Sequence, residues 1–274
     1  MSRRIQSRFH LLRQQGRKAL IPFVTAGDPN PEVTLPLMQA LVAAGADIIE
    51  LGVPFSDPMA DGPIIQRASE RALQHRVNLR LVLDMVREFR RTDDSTPVVL
   101  MGYLNPIEIM GHETFANQAA AAGVDGILVV DSPPEEGTKL LEALNRYGIA
   151  HIFLIAPTTS DERIAWICTK ASGFVYYVSI KGVTGATHLD LGPVAEKLAT
   201  IRGFTDLPLG VGFGIKDAAT AAAVAAIADA VIVGSAIVKR IEDLATSPAE
   251  IPTRIGDFVT ELRQAMDTTT LVDP

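Results

Sequence analysis

Two carboxylates stand where an apolar sequence ordinarily has none. Residues 47 to 62 read Asp47-Ile-Ile-Glu50-Leu-Gly-Val-Pro-Phe-Ser-Asp57-Pro-Met-Ala-Asp61-Gly62, so Glu50 interrupts a β-branched run and Asp61 closes the Gly/Pro loop behind it. An unpaired carboxylate in an apolar interior costs several kcal/mol unless it is hydrogen-bonded, paired or protonated. The chain therefore either satisfies Glu50 structurally or uses it, and the two groups make a candidate acid/base pair. Side chains alternate along a strand. If Ile49, Leu51 and Val53 face outward to helices, then Ile48, Glu50 and Gly52 face inward, with Glu50 near the top. On the next strand Val99, Met101 and Tyr103 share one face, which would set an apolar wall and an aromatic rim beside Glu50.

A second kind of chemistry lies in glycines. Gly210-Val-Gly212-Phe213-Gly214 and Val233-Gly234-Ser235-Ala236 carry loops in which backbone N–H groups can approach an anion, the second opening a helix. Tight turns alone would also use glycine, but both loops show the feature together. A third segment, Ser179-Ile-Lys181-Gly182-Val-Thr184-Gly185, has the composition of a lid and equally that of a plain surface loop.

These groups need elements to hold them. Short β-branched runs at 19–27, 47–54, 96–103, 125–132, 150–157, 174–180, 207–214 and 230–236 are each followed by a helical pattern. Their starts lie mostly about 23 to 33 residues apart, the size of a strand–loop–helix unit, with room for two helices after the second. Asn30 before Pro31 and the box Thr159-Ser-Asp-Glu162 mark helix starts. Continuous apolar strands imply a parallel sheet covered by helices, and eight of them favour closure: an α/β fold, a (β/α)8 TIM barrel, over 1–274 as one domain. The glycine loops would then follow strands seven and eight, where such barrels hold phosphate. Residues 1–18 are basic, as in a transit peptide, but Ile5, Phe9 and Leu12 fall on one helical face, which favours an extra N-terminal helix. The apolar stretch 218–238 reads as an Ala-rich helix and a buried strand, because Asp229 and Gly234-Ser235 divide it.

Composition narrows the function classes. A net charge of -7, from 25 basic and 32 acidic residues, with no basic-aromatic clusters, argues against nucleic acid. The single cysteine, Cys168, sits in a helical apolar pattern and suits core packing in a reducing, cytoplasmic compartment. The five histidines show no metal-ligand spacing.

Read together, Leu20-Ile-Pro-Phe23-Val-Thr-Ala-Gly-Asp28-Pro, Glu50-Leu-Gly-Val-Pro-Phe-Ser-Asp57-Pro-Met-Ala-Asp61-Gly-Pro63, Met101-Gly-Tyr103-Leu-Asn105-Pro, Gly182-Val-Thr184-Gly185 and Gly212-Phe213-Gly-Ile215 resemble the tryptophan synthase alpha chain family, in family order over nearly the whole chain. The resemblance implies retro-aldol cleavage of indole-3-glycerol phosphate to indole and glyceraldehyde 3-phosphate, with Glu50 and Asp61 as catalytic residues. It further implies an indole pocket from Phe23, Met101, Tyr103, Leu128, Tyr176 and Ile232, and phosphate loops carrying Gly185, Phe213, Gly214, Gly234 and Ser235. Thr184 would be the lid threonine that meets Asp61. The family's partner is a pyridoxal-phosphate beta chain in an α2β2 assembly, which implies a partner surface at Asp57, Asn105 and Pro133 and no cofactor in this chain. For each pocket residue ordinary barrel packing is the plain alternative.

Two other classes stay open at this point. Lys181 would suit a Schiff-base aldolase, although among glycines past its strand it would not be desolvated. A non-catalytic activating subunit is the second, and the pair of carboxylates argues against it.

Overall fold

The computed structural model describes residues 3–178, 191–212 and 214–269. Among these, eight parallel strands close into a barrel in sequence order: β1 (Ala19–Thr25), β2 (Ile49–Gly52), β3 (Val98–Gly102), β4 (Gly126–Val129), β5 (Ala150–Ile155), β6 (Val175–Val178), β7 (Leu209–Gly212) and β8 (Ala230–Val233). The helices around it are α1 (Arg3–Gln14), α2 (Pro31–Ala43), α3 (Pro63–Gln74), α4 (Leu79–Phe89), α5 (Leu104–Met110), α6 (His112–Ala122), α7 (Thr138–Tyr147), α8 (Asp161–Lys170), α9 (Gly192–Arg202), α10 (Ala218–Ala225), α11 (Ser235–Asp243) and α12 (Ile251–Thr269). Each strand, as far as it is described, falls within its expected run. No described helix is long and apolar enough to cross a membrane; α10 and β8 divide the 218–238 stretch as its charge and glycine require.

The parity expectation holds. Ile49 and Leu51 pack with the helices, while Ile48, Val99, Leu128, Ile152 and Ile232 fill the barrel interior. Register fixes the relation between strands, with Phe23 opposite Glu50, Glu50 opposite Val99 and Gly52 opposite Met101. Tyr103 departs from the expected shared face with Val99 and Met101. β3 ends at Gly102, and Tyr103 becomes the residue that opens α5, its ring stacked on Phe55 at 5.0 Å. One cap also moves: the box was placed on Thr159, but Ser160 caps α8 by accepting from Arg163 N, while Thr159 Oγ1 accepts from Ala156 N.

Helix α1 closes the N-terminal end of the barrel. Ile5, Phe9 and Leu12 join the interior cluster, Ile5 lying against Gly126 at the start of β4, and Phe9 packs on Phe174 at 5.9 Å. Three carboxylates work at this same end. Asp47, Asp125 and Asp229 accept from the backbone N–H of Leu20, Val98 and Leu209 at 2.9, 3.0 and 2.9 Å. Each also meets a guanidinium, from Arg263 at 3.1 Å, Arg90 at 2.7 Å and Arg202 at 3.0 Å. Buried charge is tolerated where it is paired and hydrogen-bonded, and the contrast with Glu50 at the other end is direct.

Candidate active site

Glu50 is 1% exposed, and its Oε1 has no hydrogen-bond partner among the described residues. It projects from β2 into a cavity of about 580 Å³ at the C-terminal ends of the strands, large enough for a small-molecule substrate. Asp61 lines the same cavity from the β2–α3 loop. Burial, and then the charge of Asp61, push the Glu50 carboxyl up to about 8. Burial pushes Asp61 up to about 6, held down by a hydrogen bond with the Tyr103 hydroxyl. Glu50 is still neutral as Asp61 ionises, so the coupling between them is expressed in the later titration of Glu50. At neutral pH one carboxyl is an acid and the other an anion, a division of labour that environment alone produces.

The loop that carries Asp61 is anchored at several points. Tyr103 Oη accepts from Ala60 N at 3.0 Å, Gln66 Nε2 donates to Asp61 O at 2.9 Å, and Asp61 N donates to Pro58 O at 3.0 Å. Tyr103 therefore stands behind the Asp61 loop and lines a small void there, not the main cavity in which the sequence had set it.

Phe23, Met101, Tyr176 and Ile232 line the main cavity. Two glycines make room for its rings: a Cβ on Gly52 would lie 2.7 Å from Phe23 Cζ, and one on Gly212 would lie 2.2 Å from Tyr176 Oη. Tyr176 is half-buried, and burial together with Glu50 raises its pKa well above the ordinary phenol value, so it remains a hydroxyl. Leu128 is not in the lining. It packs in the barrel interior below, and Val130, two residues on with the same parity, takes the cavity position. Val130, Leu154 and Val178 went unread in the sequence, though each continues an inward parity already set by Leu128, Ile152 and Tyr176. Ile64 and Ile65, from the first turn of α3, had no such signal.

Gly214, Gly234 and Ser235 also line the cavity. Gly234 precedes α11 and no side chain caps that helix, so its first-turn N–H donors and positive dipole end are available to an anion. The neighbouring α10 is closed by its own Asp217 through a capping box. Thr184, Gly185 and Phe213 lie outside the described residues, as does Lys181.

Asp57, on the β2–α3 loop, and Asn105, in the first turn of α5, are exposed on segments joined by the Phe55–Tyr103 stack, and Pro133 is half-buried. Met59 and Ile109, at 86% and 83% exposure, add apolar surface on these same segments.

The sequence pattern of the tryptophan synthase alpha chain matches residues 9–267. The chain belongs to the tryptophan synthase alpha chain family. It is 64% identical to the tryptophan synthase alpha chain of Thioalkalivibrio sulfidiphilus over 96% of this chain and 99% of that one. With the alpha chain of Nitrosococcus oceani it shares 59% identity over 97% and 98%. The crystal structure of tryptophan synthase subunit alpha from Legionella pneumophila superposes with a TM-score of 0.91 at 46% identity, covering 98% of this chain and 99% of that chain. The aminoacrylate-bound tryptophan synthase of M. tuberculosis gives 0.84 at 35% identity over 96% and 99%. The chain is accordingly a carbon–carbon lyase of tryptophan biosynthesis, and the alpha-chain reaction is cleavage of indole-3-glycerol phosphate to indole and glyceraldehyde 3-phosphate.

Proposed function

We propose that Glu50 and Asp61 carry the cleavage in the protonation states that the cavity gives them. Indole leaves from C3 only after that carbon is protonated. The Glu50 carboxyl, neutral at pH 7, delivers the proton to C3, and the ring becomes a cationic indolenine. The Asp61 carboxylate accepts the ring N–H and stabilises that charge. The Glu50 carboxylate then takes the proton of the glycerol hydroxyl as the carbon–carbon bond breaks, its electron pair returning to the ring, so the acid is regenerated. Phe23, Met101, Tyr176 and Ile232 hold the indole, and Gly214, Gly234 and Ser235 hold the phosphate at α11. Thr184, Gly185 and Phe213 are assigned to lid and phosphate loop on the sequence alone.

The reading rests most on one arrangement: Glu50, buried with an unpartnered Oε1, and Asp61 line the same cavity, where burial pushes their carboxyls up to about 8 and about 6. We further propose a pyridoxal-phosphate beta chain as partner in an α2β2 assembly, seated at Asp57, Asn105 and Pro133, with no cofactor in this chain. Exposed Met59 and Ile109 support that surface. We assign 1–274 to one domain and the protein to the cytoplasm, in line with its unpaired, buried Cys168.

The test is an indole-release assay with indole-3-glycerol phosphate, with and without a beta chain. Indole formation that leaves no borohydride-reducible adduct supports the carboxylate mechanism. A trapped imine would assign the chemistry to a lysine instead.

A further inference from the structure

Three cations line the active-site cavity beside Gly214, Gly234 and Ser235: Lys216, Lys239 and Arg240. Their charges are not equally available. Lys239 is ion-paired with Glu242 at 3.4 Å and with Asp243. Arg240 lies with its guanidinium 3.6 Å from the Phe258 ring centroid and donates to Ala236 O at 2.9 Å. Lys216 is exposed; its backbone N–H donates to Thr220 Oγ1 at 3.1 Å, and its ammonium forms no ion pair among the described residues. The adjacent Asp217 is occupied with capping α10, accepting from Thr220 N at 2.9 Å and Oγ1 at 2.8 Å.

The cavity thus holds both signs of charge, the carboxyls of Glu50 and Asp61 and the ammonium of Lys216, whose charge helps to lower the pKa of the neighbouring Asp217 and which has no ion-pair contact among the described residues. Backbone donors at the α11 N-terminus are fixed and carry no formal charge, so they orient a phosphate without neutralising it. A lysine on a flexible stem supplies that missing point charge.

We propose that Lys216 is a substrate-binding residue that pairs with the substrate phosphate dianion and makes the phosphate the group by which this chain selects its substrate. The proposal rests on the phosphate reading of Gly214, Gly234 and Ser235 and adds a charged side chain to it. An ion pair with the exposed Lys216 ammonium is screened by salt more steeply than hydrogen bonds from backbone amides that carry no formal charge. Salt dependence therefore separates the two contributions.

The experiment compares the full chain with Lys216→Gln, Lys216→Arg and Gly234→Val. Glycerol 3-phosphate binding is measured by calorimetry at low and at physiological salt. Cleavage is measured with indole-3-glycerol phosphate and with its dephosphorylated analogue. Lys216→Gln is expected to weaken glycerol phosphate binding and to raise KM for the phosphorylated substrate about tenfold, the worth of one charge-assisted contact. It should leave kcat and the analogue unchanged and flatten the salt dependence, and Lys216→Arg should restore most of the loss. Parent-like affinity and salt slope in Lys216→Gln overturn the proposal, as does an equal loss on the analogue. If Gly234→Val abolishes glycerol phosphate binding while Lys216→Gln leaves it intact, the phosphate site stands and the role of Lys216 falls. If neither variant moves it, both readings fall.

Discussion

Asp61 faces Glu50 across one cavity, and its charge helps to keep Glu50 protonated. The same side chain that would stabilise the cationic ring therefore also prepares the acid that creates it. Asp61 in turn is kept ionisable by Tyr103, whose hydroxyl binds both the Asp61 carboxylate and Ala60 N. Removing Asp61 should take away an electrostatic partner and weaken the bias on Glu50 together.

The working state has Glu50 protonated and Asp61 ionised. Below about 6 Asp61 takes a proton, and above about 8 Glu50 loses its own, so kcat/KM is expected to be bell-shaped between these values. Glu50→Gln and Asp61→Asn should each reduce cleavage by about 10²- to 10⁴-fold with substrate affinity largely kept. A Glu50→Gln enzyme within about tenfold of the parent would remove Glu50 from the acid role.

Stability should carry the same signature. The folded-state pKa of Glu50 lies above its ordinary 4.5, so the fold has its full stability below that value and loses it as pH rises toward about 8. At pH 7 the loss is (7 − 4.5) × 1.36, roughly 3 kcal/mol. Asp61, raised in the same sense, adds to it. Glu50→Gln abolishes the Glu50 contribution, so its denaturation midpoint relative to the parent should climb between pH 5 and pH 8. A difference that stays constant over that range would mean that Glu50 is not held neutral in the fold.

Gly212→Ala tests how closely the ring wall is built. A methyl group there meets Tyr176 Oη at 2.2 Å, so the ring must move into the cavity beside Glu50. Cleavage is expected to fall by about a hundredfold, the scale of a misplacement near 1 Å, with a modest loss of stability. Gly234→Ala meets only ordinary contacts with Phe23, at 3.7 Å, and should leave the melting temperature near that of the parent. Equal melts and equal rates for both variants would show that the wall yields.

Activation by a beta chain should depend on the loop that holds Asp61. A contact at the exposed Asp57 acts on a segment already anchored through Tyr103 and Gln66, and coupling of this kind is typically about 1 to 3 kcal/mol. Asp57→Ala is expected to keep its basal rate and lose most of the stimulation, read as cleavage with and without the beta chain. Full stimulation in Asp57→Ala would place the coupling elsewhere.

Local physics accounts for most of what the sequence determined. The eight strands, the inward parity of Ile48 and Glu50, the Asn30 cap and the apolar face of α1 follow from periodicities of two and about 3.6 residues, which are properties of the chain next to itself. Glu50 was visible because a charge inside an apolar run is anomalous without any reference to a fold. Tertiary structure decided what depends on depth and on distant partners. Leu128 and Val130 share a parity, and only the packed barrel shows which of them reaches the cavity. Tyr103 was readable as a wall residue until β3 ended before it and its hydroxyl went to the Asp61 loop. Lys216 carries the same charge as Lys239, yet among the described residues only Lys239 is held in ion-pair contact by carboxylates. The division between an acid near 8 and an anion near 6 could not be read from Glu50 and Asp61 as letters, because burial and the Tyr103 hydrogen bond that set it come from residues brought together by closure of the barrel.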